Sequence, residues 1–377
     1  MRGVLSLYFA GVTLLLLPAA SASASPYEPA LNSKLQGSIE EIVDLPGGPP
    51  GISVLITRGQ RQEFLGAGTV GERFPPAPGF AFRIASVSKG FSAYLATKLA
   101  GSGLTLDTTL GQSIPGVLPA AEAVTLRQLL QHTSGLAEYI QAPAFGKQLN
   151  ADPARYFSPT ELTGFVRDEP LEFAPGSRYR YSDTDNIAAG LMEEKASGLS
   201  YEQLLAKLVF KPLGMRYSSL PRTVEMPPPF MHGYDVELGK KPEDVSELIN
   251  PAGAWASGGI VSTPVDLAHF LRSYVPTVLR ASRQAGIAFR PGSSSPPGPG
   301  KNLAGIGIFR YETGCGTVFG HTGSFPGYRV FVAASANGRR SVVFVANAQI
   351  VPGGQGSPQV AKAITKAQGR AVCRALA

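Results

Sequence analysis

Strand-type residues gather at the two ends of this chain, and residues 101–276 between them read as helices and loops. Ile52-Ser53-Val54-Leu55-Ile56-Thr57 reads as a strand, Arg58-Gly59-Gln60 as a turn, and Glu63 to Ala67 as its returning hairpin partner. Near the other end Ala304 to Tyr311, Gly316 to Gly320, Tyr328 to Ala334 and Ser341 to Ala346 alternate or run apolar. Asn337-Gly338 marks a hairpin turn between the last two. Strands so distant in sequence share a core only by pairing across the molecule. The expectation is an α/β (α+β) chain with one largely antiparallel sheet, on which terminal helices from Asn32 to Val43 and Pro358 to Leu376 pack. Val124 to Gln131, Pro159 to Arg167, Asn186 to Ser197, Tyr201 to Leu208 and Pro264 to Tyr274 read as helices of a second, mainly helical lobe. Thr125 and Ser200 supply starting signals for two of them. A Pro/Gly/Ser-rich loop, Arg290 to Gly300, closes that lobe.

The first residues read differently. Arg2, the apolar run Val4 to Leu17, Pro18 and the small residues Ala19 to Ala24 describe a secretory signal peptide, cut after Ala24. As a membrane anchor the run is too short, and Pro18 breaks it. Residues 25–377 then form a single domain, with a sheet lobe from 25–85 and 300–377 and a helical lobe from 86–299. No later stretch is apolar for long enough to span a membrane, so the expected product is secreted, extracellular or associated with the cell wall. In an oxidising compartment the two cysteines, Cys315 and Cys373, pair; two free buried thiols are the alternative. Such a bridge contributes roughly 4 kcal/mol by restricting the unfolded chain. The net charge of +7 becomes +6 without Arg2, and only 16% of residues are charged, with no basic block. That excludes a nucleic-acid partner and suits an anionic cell envelope. Lys362, Lys366, Arg370 and Arg374 read as a solvated helix face. No metal is expected, because His132, His232, His269 and His321 form no ligand-spaced pair.

Chemistry concentrates around Ser86-Val87-Ser88-Lys89, the only Ser-x-x-Lys in the chain. Val87, Phe91, Tyr94, Leu95 and Leu99 follow at helical spacing, so a helix from Ser86 puts Ser86 and Lys89 one turn apart on one face. A lysine that loses its proton there activates a serine that is otherwise a poor nucleophile. A serine cap beside a solvated lysine would leave the same four residues. Three more clusters stand out. Pro175 to Asn186 presents Tyr181, a proton exchanger if nearby cations lower its pKa and a packed aromatic otherwise. Phe319-Gly320-His321-Thr322-Gly323-Ser324 reads as a strand-end turn whose glycines admit a ligand to the backbone. Leu126 to Leu136 contains His132, which reads as the hydrogen-bonded end of a helix rather than a catalytic base. A nucleophile elbow, Gly-x-Ser-x-Gly, is absent.

The order Ser-x-x-Lys, Tyr-Ser-Asp, His-Thr-Gly resembles the penicillin-recognising serine hydrolases, within them the serine D-alanyl-D-alanine carboxypeptidase and class C β-lactamase family. The similarity runs from about Gly51 to Ala348, and includes Pro212-Leu213-Gly214-Met215 and Trp255-Ala256-Ser257-Gly258-Gly259. Gly305 to Arg310, His321-Thr322-Gly323 and Cys315 look closest to the soluble exported DD-peptidases. The resemblance implies a β-lactamase/transpeptidase-like fold, no cofactor and a monomer. It implies Ser86 as nucleophile, Lys89 as base, Tyr181 as proton relay to the leaving amine, and backbone N–H groups of Ser86 and Ser324 as oxyanion hole. It sets Thr322, Gly323, Ser324 and Arg310 around a substrate carboxylate, puts Trp255 on the pocket wall, and has His321 where many relatives carry lysine. Asp183 departs from the pattern, which usually has asparagine, and brings an anion to the site. The implied activity is a D-alanyl-D-alanine carboxypeptidase acting on peptidoglycan stem peptides and binding penicillin. An esterase or class C-like β-lactamase with the same serine is the alternative, and a non-catalytic penicillin-binding protein a third.

Overall fold

The computed structural model describes residues 27–29, 34–71, 73–291, 298–351 and 357–377. The signal-peptide reading of residues 1–24 and most of the Arg290–Gly300 loop lie outside them. In chain order the strands are β1 (Tyr27–Pro29), β2 (Gly51–Arg58), β3 (Arg61–Gly68), β4 (Phe82–Arg83), β5 (Tyr234–Asp235), β6 (Glu243–Asp244) and β7 (Val261–Ser262). They continue as β8 (Arg290–Pro291), β9 (Lys301–Ala304), β10 (Phe309–Thr313), β11 (Gly316–Phe325), β12 (Tyr328–Ala334) and β13 (Arg340–Ala346). Nine of them form one sheet in the order β1-β3-β2-β13-β12-β11-β10-β9-β8. All its ladders are antiparallel except β1 against β3. The two ends of the chain meet at the centre, where Val54 of β2 faces Phe344 of β13. No helix among the described residues is long and apolar enough to cross a membrane.

Alternation along β13 assigns its side chains to two cores. Val342, Phe344 and Ala346 join Ile39 and Ile364 under the terminal helices Lys34–Asp44 and Pro358–Leu376. Val343 and Val345 face the helical lobe with Phe91, Leu95 and Phe270. The Lys89–Leu99 helix therefore lies between the sheet and other helices, and it is buried around most of its circumference rather than along one stripe. Phe91 stacks on Phe270 at 3.8 Å, and a Cβ at Gly90 would meet the Tyr274 ring at 2.9 Å. Cys315 and Cys373 form a disulfide that ties the β10–β11 turn to the last helix. The basic face of that helix is not all solvated: Arg374 pairs with Glu63 and Arg370 bonds Ser38.

Three sequence expectations need correction. The helix begun at Pro264 runs to Gln284, through Pro276, because Leu271, Tyr274, Val275, Val278 and Leu279 continue its buried face across the proline. That packing outweighs an interior proline's cost of about 3 kcal/mol. The expected strand from Ala304 to Tyr311 breaks at Gly305–Ile308, where Gly307 has φ +56° and lies against the Lys89–Leu99 helix. A Cβ at Gly307 would meet Ala93 Cβ at 2.6 Å. Finally, Phe319–Ser324 is no turn but the body of β11. Pairing with β10 ends at Phe309↔Gly320, so residues 321–325 have β12 on one side and no strand on the other among the described residues.

Candidate active site

That free edge of β11 abuts the turn carrying Ser86. Ala85–Ser88 is a tight 3-10 turn running into the Lys89–Leu99 helix, and Ala85 holds φ +51°, a left-handed conformation costly for a residue with a Cβ. A Cβ at Gly323 would lie 2.3 Å from Ile84 O and 3.1 Å from Ala85 Cβ, so only glycine lets strand and turn touch. Ser86 is partly exposed while Lys89 is fully buried. Lys89 Nζ lies 3.2 Å from Ser86 Oγ, 2.6 Å from Asp183 Oδ1 and 2.9 Å from Ser257 O. The solvated-lysine reading is thereby excluded.

Asp183 opens the Asp183–Ser197 helix, and its own backbone N–H donates to Glu138 Oε2 at 2.5 Å. Glu138 also accepts from Ile140 N–H at 3.2 Å. Burial, and then the Asp183 carboxylate, push the Glu138 carboxyl up to about 7. No sequence motif marks Glu138; its proximity to the Leu126–Leu136 stretch was the only signal. The Tyr181 ring lies 4.8 Å from Lys89 Nζ. Its hydroxyl is buried without a well-formed hydrogen bond. Burial and the Asp183 charge hold this phenol well above its ordinary pKa, and its interaction with the Ser86 hydroxyl only partly offsets them. The cation-lowered phenol on which the proton-exchanger reading depends is therefore not found: burial first, and then the anion at Asp183, raise the pKa instead.

Both nearby histidines are neutral. His132 Nδ1 lies 2.9 Å from Asp185 Oδ2, Ser134 also bonds Asp185, and burial and then Lys89 depress His132 to about 3. This is the hydrogen-bonded helix end that the sequence suggested. Burial likewise depresses His321 to about 3. Its Nδ1 lies 2.6 Å from Thr322 O, a carbonyl that can only accept, so Nδ1 carries the proton and Nε2 a lone pair. His321 thus supplies no positive charge where a lysine would.

A cavity of about 270 Å³ opens at Ser86, walled by Asp183, Ser324, Ile140, Phe145, Ile249 and Phe325 among others. No arginine or lysine among the described residues lines it. Arg310, expected beside a substrate carboxylate, instead pairs with Glu312 and lies 5.9 Å from the Phe289 ring centroid, off the cavity wall. Trp255, expected on the wall, is buried in the helical lobe with its ring 4.9 Å from Tyr201. The structure therefore brings together Ser86, Lys89, Tyr181, Asp183, His321, Gly323 and Ser324, and leaves Arg310 and Trp255 outside. A larger cavity, about 650 Å³, lies by Lys362, Lys366 and Cys373 and shares no wall with this site.

A sheet that abuts a buried Ser/Lys pair in this way is the architecture of the β-lactamase fold. The Beta-lactamase family model matches residues 39–364, and the chain belongs to that family. Penicillin-binding protein 4* of Bacillus subtilis (strain 168) is 26% identical over 293 residues, covering 73% of this chain and 62% of that protein. The D-alanyl-D-alanine-carboxypeptidase/endopeptidase AmpH of Escherichia coli (strain K12) is 26% identical over 261 residues, covering 66% of this chain and 63% of that protein. The chain thus spans less than two thirds of the length of these relatives. Among solved structures, a D-stereospecific amidohydrolase from Streptomyces sp. superposes with a TM-score of 0.74 at 27% identity, over 88% of this chain and 97% of that one.

Proposed function

We propose that this chain is a serine hydrolase working through an acyl-enzyme on Ser86, and that its substrate is an amide whose acyl part carries a cationic amine and an apolar group. The observation that carries this reading is the charge of the cavity. Among the described residues Asp183 is the only ionisable side chain on its wall, and Lys89 is already paired to it. A substrate carboxylate would meet no free cation there, whereas an ammonium would meet Asp183 with Glu138 behind it. Ile140, Phe145 and Leu149 offer the apolar surface. The likeness to the D-stereospecific amidohydrolase supports an amide of a D-amino acid. The D-alanyl-D-alanine carboxypeptidase reading is second, favoured by the likeness to AmpH, and it lacks the carboxylate partner that Arg310 was expected to be.

In the amine form, Lys89 spends its two N–H bonds on Asp183 Oδ1 and Ser257 O and turns its lone pair to Ser86 Oγ. It takes the hydroxyl proton as Oγ bonds to the carbonyl carbon. Backbone N–H groups of Ser86 and Ser324 receive the oxyanion. Tyr181 gives its proton to the leaving nitrogen as it receives one from Lys89, so the disfavoured phenolate never accumulates. Water then attacks the ester and releases the acid. Export, expected from residues 1–24, is supported by the Cys315–Cys373 disulfide.

The test compares kcat/KM on D-phenylalanine amide, its N-acetyl derivative, a D-Ala-D-Ala peptide, nitrocefin and a nitrophenyl ester. A charge-assisted hydrogen bond of roughly 1.5–3 kcal/mol predicts a loss of about ten- to a hundredfold on N-acetylation. A D-Ala-D-Ala peptide as the best substrate would overturn the reading.

A further inference from the structure

The Ser86 cavity continues past its own wall. Beyond Pro326 and Gln349 a second cavity of about 250 Å³ opens, and the two share Ile249, Pro326 and Gln349. The partition is thin: Gln349 is an exposed side chain whose Nε2 lies 3.0 Å from Ser324 Oγ. At about 270 and about 250 Å³, each cavity alone falls short of the roughly 300 Å³ at which small-molecule sites commonly begin. Joined, they lie inside the usual range of about 300–1,000 Å³.

The second cavity has an apolar middle and an acidic end. Ala348 and Ile350 are its buried floor, Val236 and Leu248 its side, and Asp235 its rim. Leu248 is 51% exposed, an apolar surface that a bound chain would cover. Asp235 stands on the hairpin segment that also carries Glu237, Glu243, Asp244, Glu247, Lys240 and Lys241, an acidic patch on a chain of net charge +7. Its strongest neighbours are already committed. Glu237 pairs with Lys240 at 2.6 Å, Asp244 with His232 at 2.5 Å, and Glu247 accepts from Met226 N–H. The Asp235 carboxylate has no hydrogen bond or ion pair among the described residues; the fully exposed Lys240, already paired with Glu237, is a cation that feels its charge.

Direction follows from β11. His321, beside Tyr181, marks the end where the leaving group is served, whereas Ser324 and then Pro326 lead the other way, into the second cavity. That way lies the acyl half of the substrate. We propose that the two cavities form one trench, and that the second takes a long acyl side chain, aliphatic along Leu248 and Val236 and ending in a cation against Asp235. The amide of a D-lysine- or D-arginine-like residue has this chemistry. The inference rests on the acyl-enzyme reading for its kinetics, but not for binding.

The experiment compares D-lysine amide with D-norleucine amide, similar in length and different in the terminal charge. Wild-type protein should favour D-lysine amide in kcat/KM. Asp235→Lys should cut that preference about fivefold, the scale of an exposed ion pair lost and reversed, and leave D-norleucine amide unaffected. The preference should also fade at high salt. Leu248→Asp should weaken D-norleucine amide relative to D-alanine amide. Equal preference in wild type and Asp235→Lys, or a loss on all amides alike, would overturn the trench. If no amide is turned over and Ser86 is never acylated, the acyl-enzyme reading fails by itself. Calorimetric binding of the two amides to wild type and Asp235→Lys then decides the trench: tighter D-lysine amide binding that Asp235→Lys removes upholds it, and equal binding refutes it.

Discussion

Replacing Glu138 by glutamine should change how stability depends on pH, in a window fixed by its surroundings. Burial and the Asp183 carboxylate raise Glu138 from 4.5 to about 7. Folding therefore favours its protonated form. The stability this confers is fully present below the unfolded value of 4.5 and is lost as pH rises through about 7. At 1.36 kcal/mol per pKa unit, the change across that window is about 3 kcal/mol. His132 and His321 act with opposite sign. Each falls from 6.5 to about 3, so the stability they confer is present above 6.5 and fades as pH drops toward 3. Wild type alone would show these effects superposed. The difference between wild type and Glu138→Gln isolates the carboxyl, because both histidines remain in both proteins. Urea unfolding from pH 4 to pH 8 should show the variant gaining on wild type by about 3 kcal/mol, mostly between the two Glu138 values. A difference that stays constant across this range would refute the argument, because glutamine then replaces nothing that titrates.

Ser86→Ala should abolish acylation, read as loss of the mass increment left by a nitrophenyl ester or a fluorescent penicillin; an undiminished adduct would remove Ser86 from the nucleophile's role. Arg310→Ala should change kcat/KM by less than about threefold on every substrate, because Arg310 pairs with Glu312 at the surface and lies off the cavity wall. Cys315→Ser with Cys373→Ser should lower unfolding free energy by roughly 4 kcal/mol, since the bridge closes a separation of 58 residues. Gly323→Ala should cost both stability and activity, measured by thermal unfolding and ester hydrolysis, because its Cβ has no room beside Ile84 O.

What was legible in the sequence was what local pattern encodes. The β2–β3 and β12–β13 hairpins fall where period-two alternation and the Gly59 and Gly338 turns put them, both glycines having positive φ. Ser86 and Lys89 were found because one helical turn fixes their separation. The rest depends on partners remote in the chain. Glu138 carries no motif, and only the fold brings Asp183 onto it. The sign of the Tyr181 shift comes from burial in the folded core and then from the Asp183 carboxylate, neither of which local pattern encodes. Arg310 came to the substrate carboxylate through the resemblance, which matches positions and not the direction a side chain takes in this fold, where it pairs with Glu312. Pro276 looked like a helix end because its cost is local and the packing that offsets it is not.

The meeting of the two chain ends in the sheet has a kinetic consequence. β2 has β3 beside it from the start, but its other neighbour is β13, which begins at Arg340. Contacts that span nearly the whole chain carry a large loop-closure cost before any reward, so such topologies nucleate slowly. The β2–β3 hairpin should therefore remain a loose local structure until the last strands emerge, and the protein should commit to its fold late. A chain lacking residues 340–377 would expose β2 and β12 as unpaired apolar edges, a species prone to aggregate rather than a smaller enzyme.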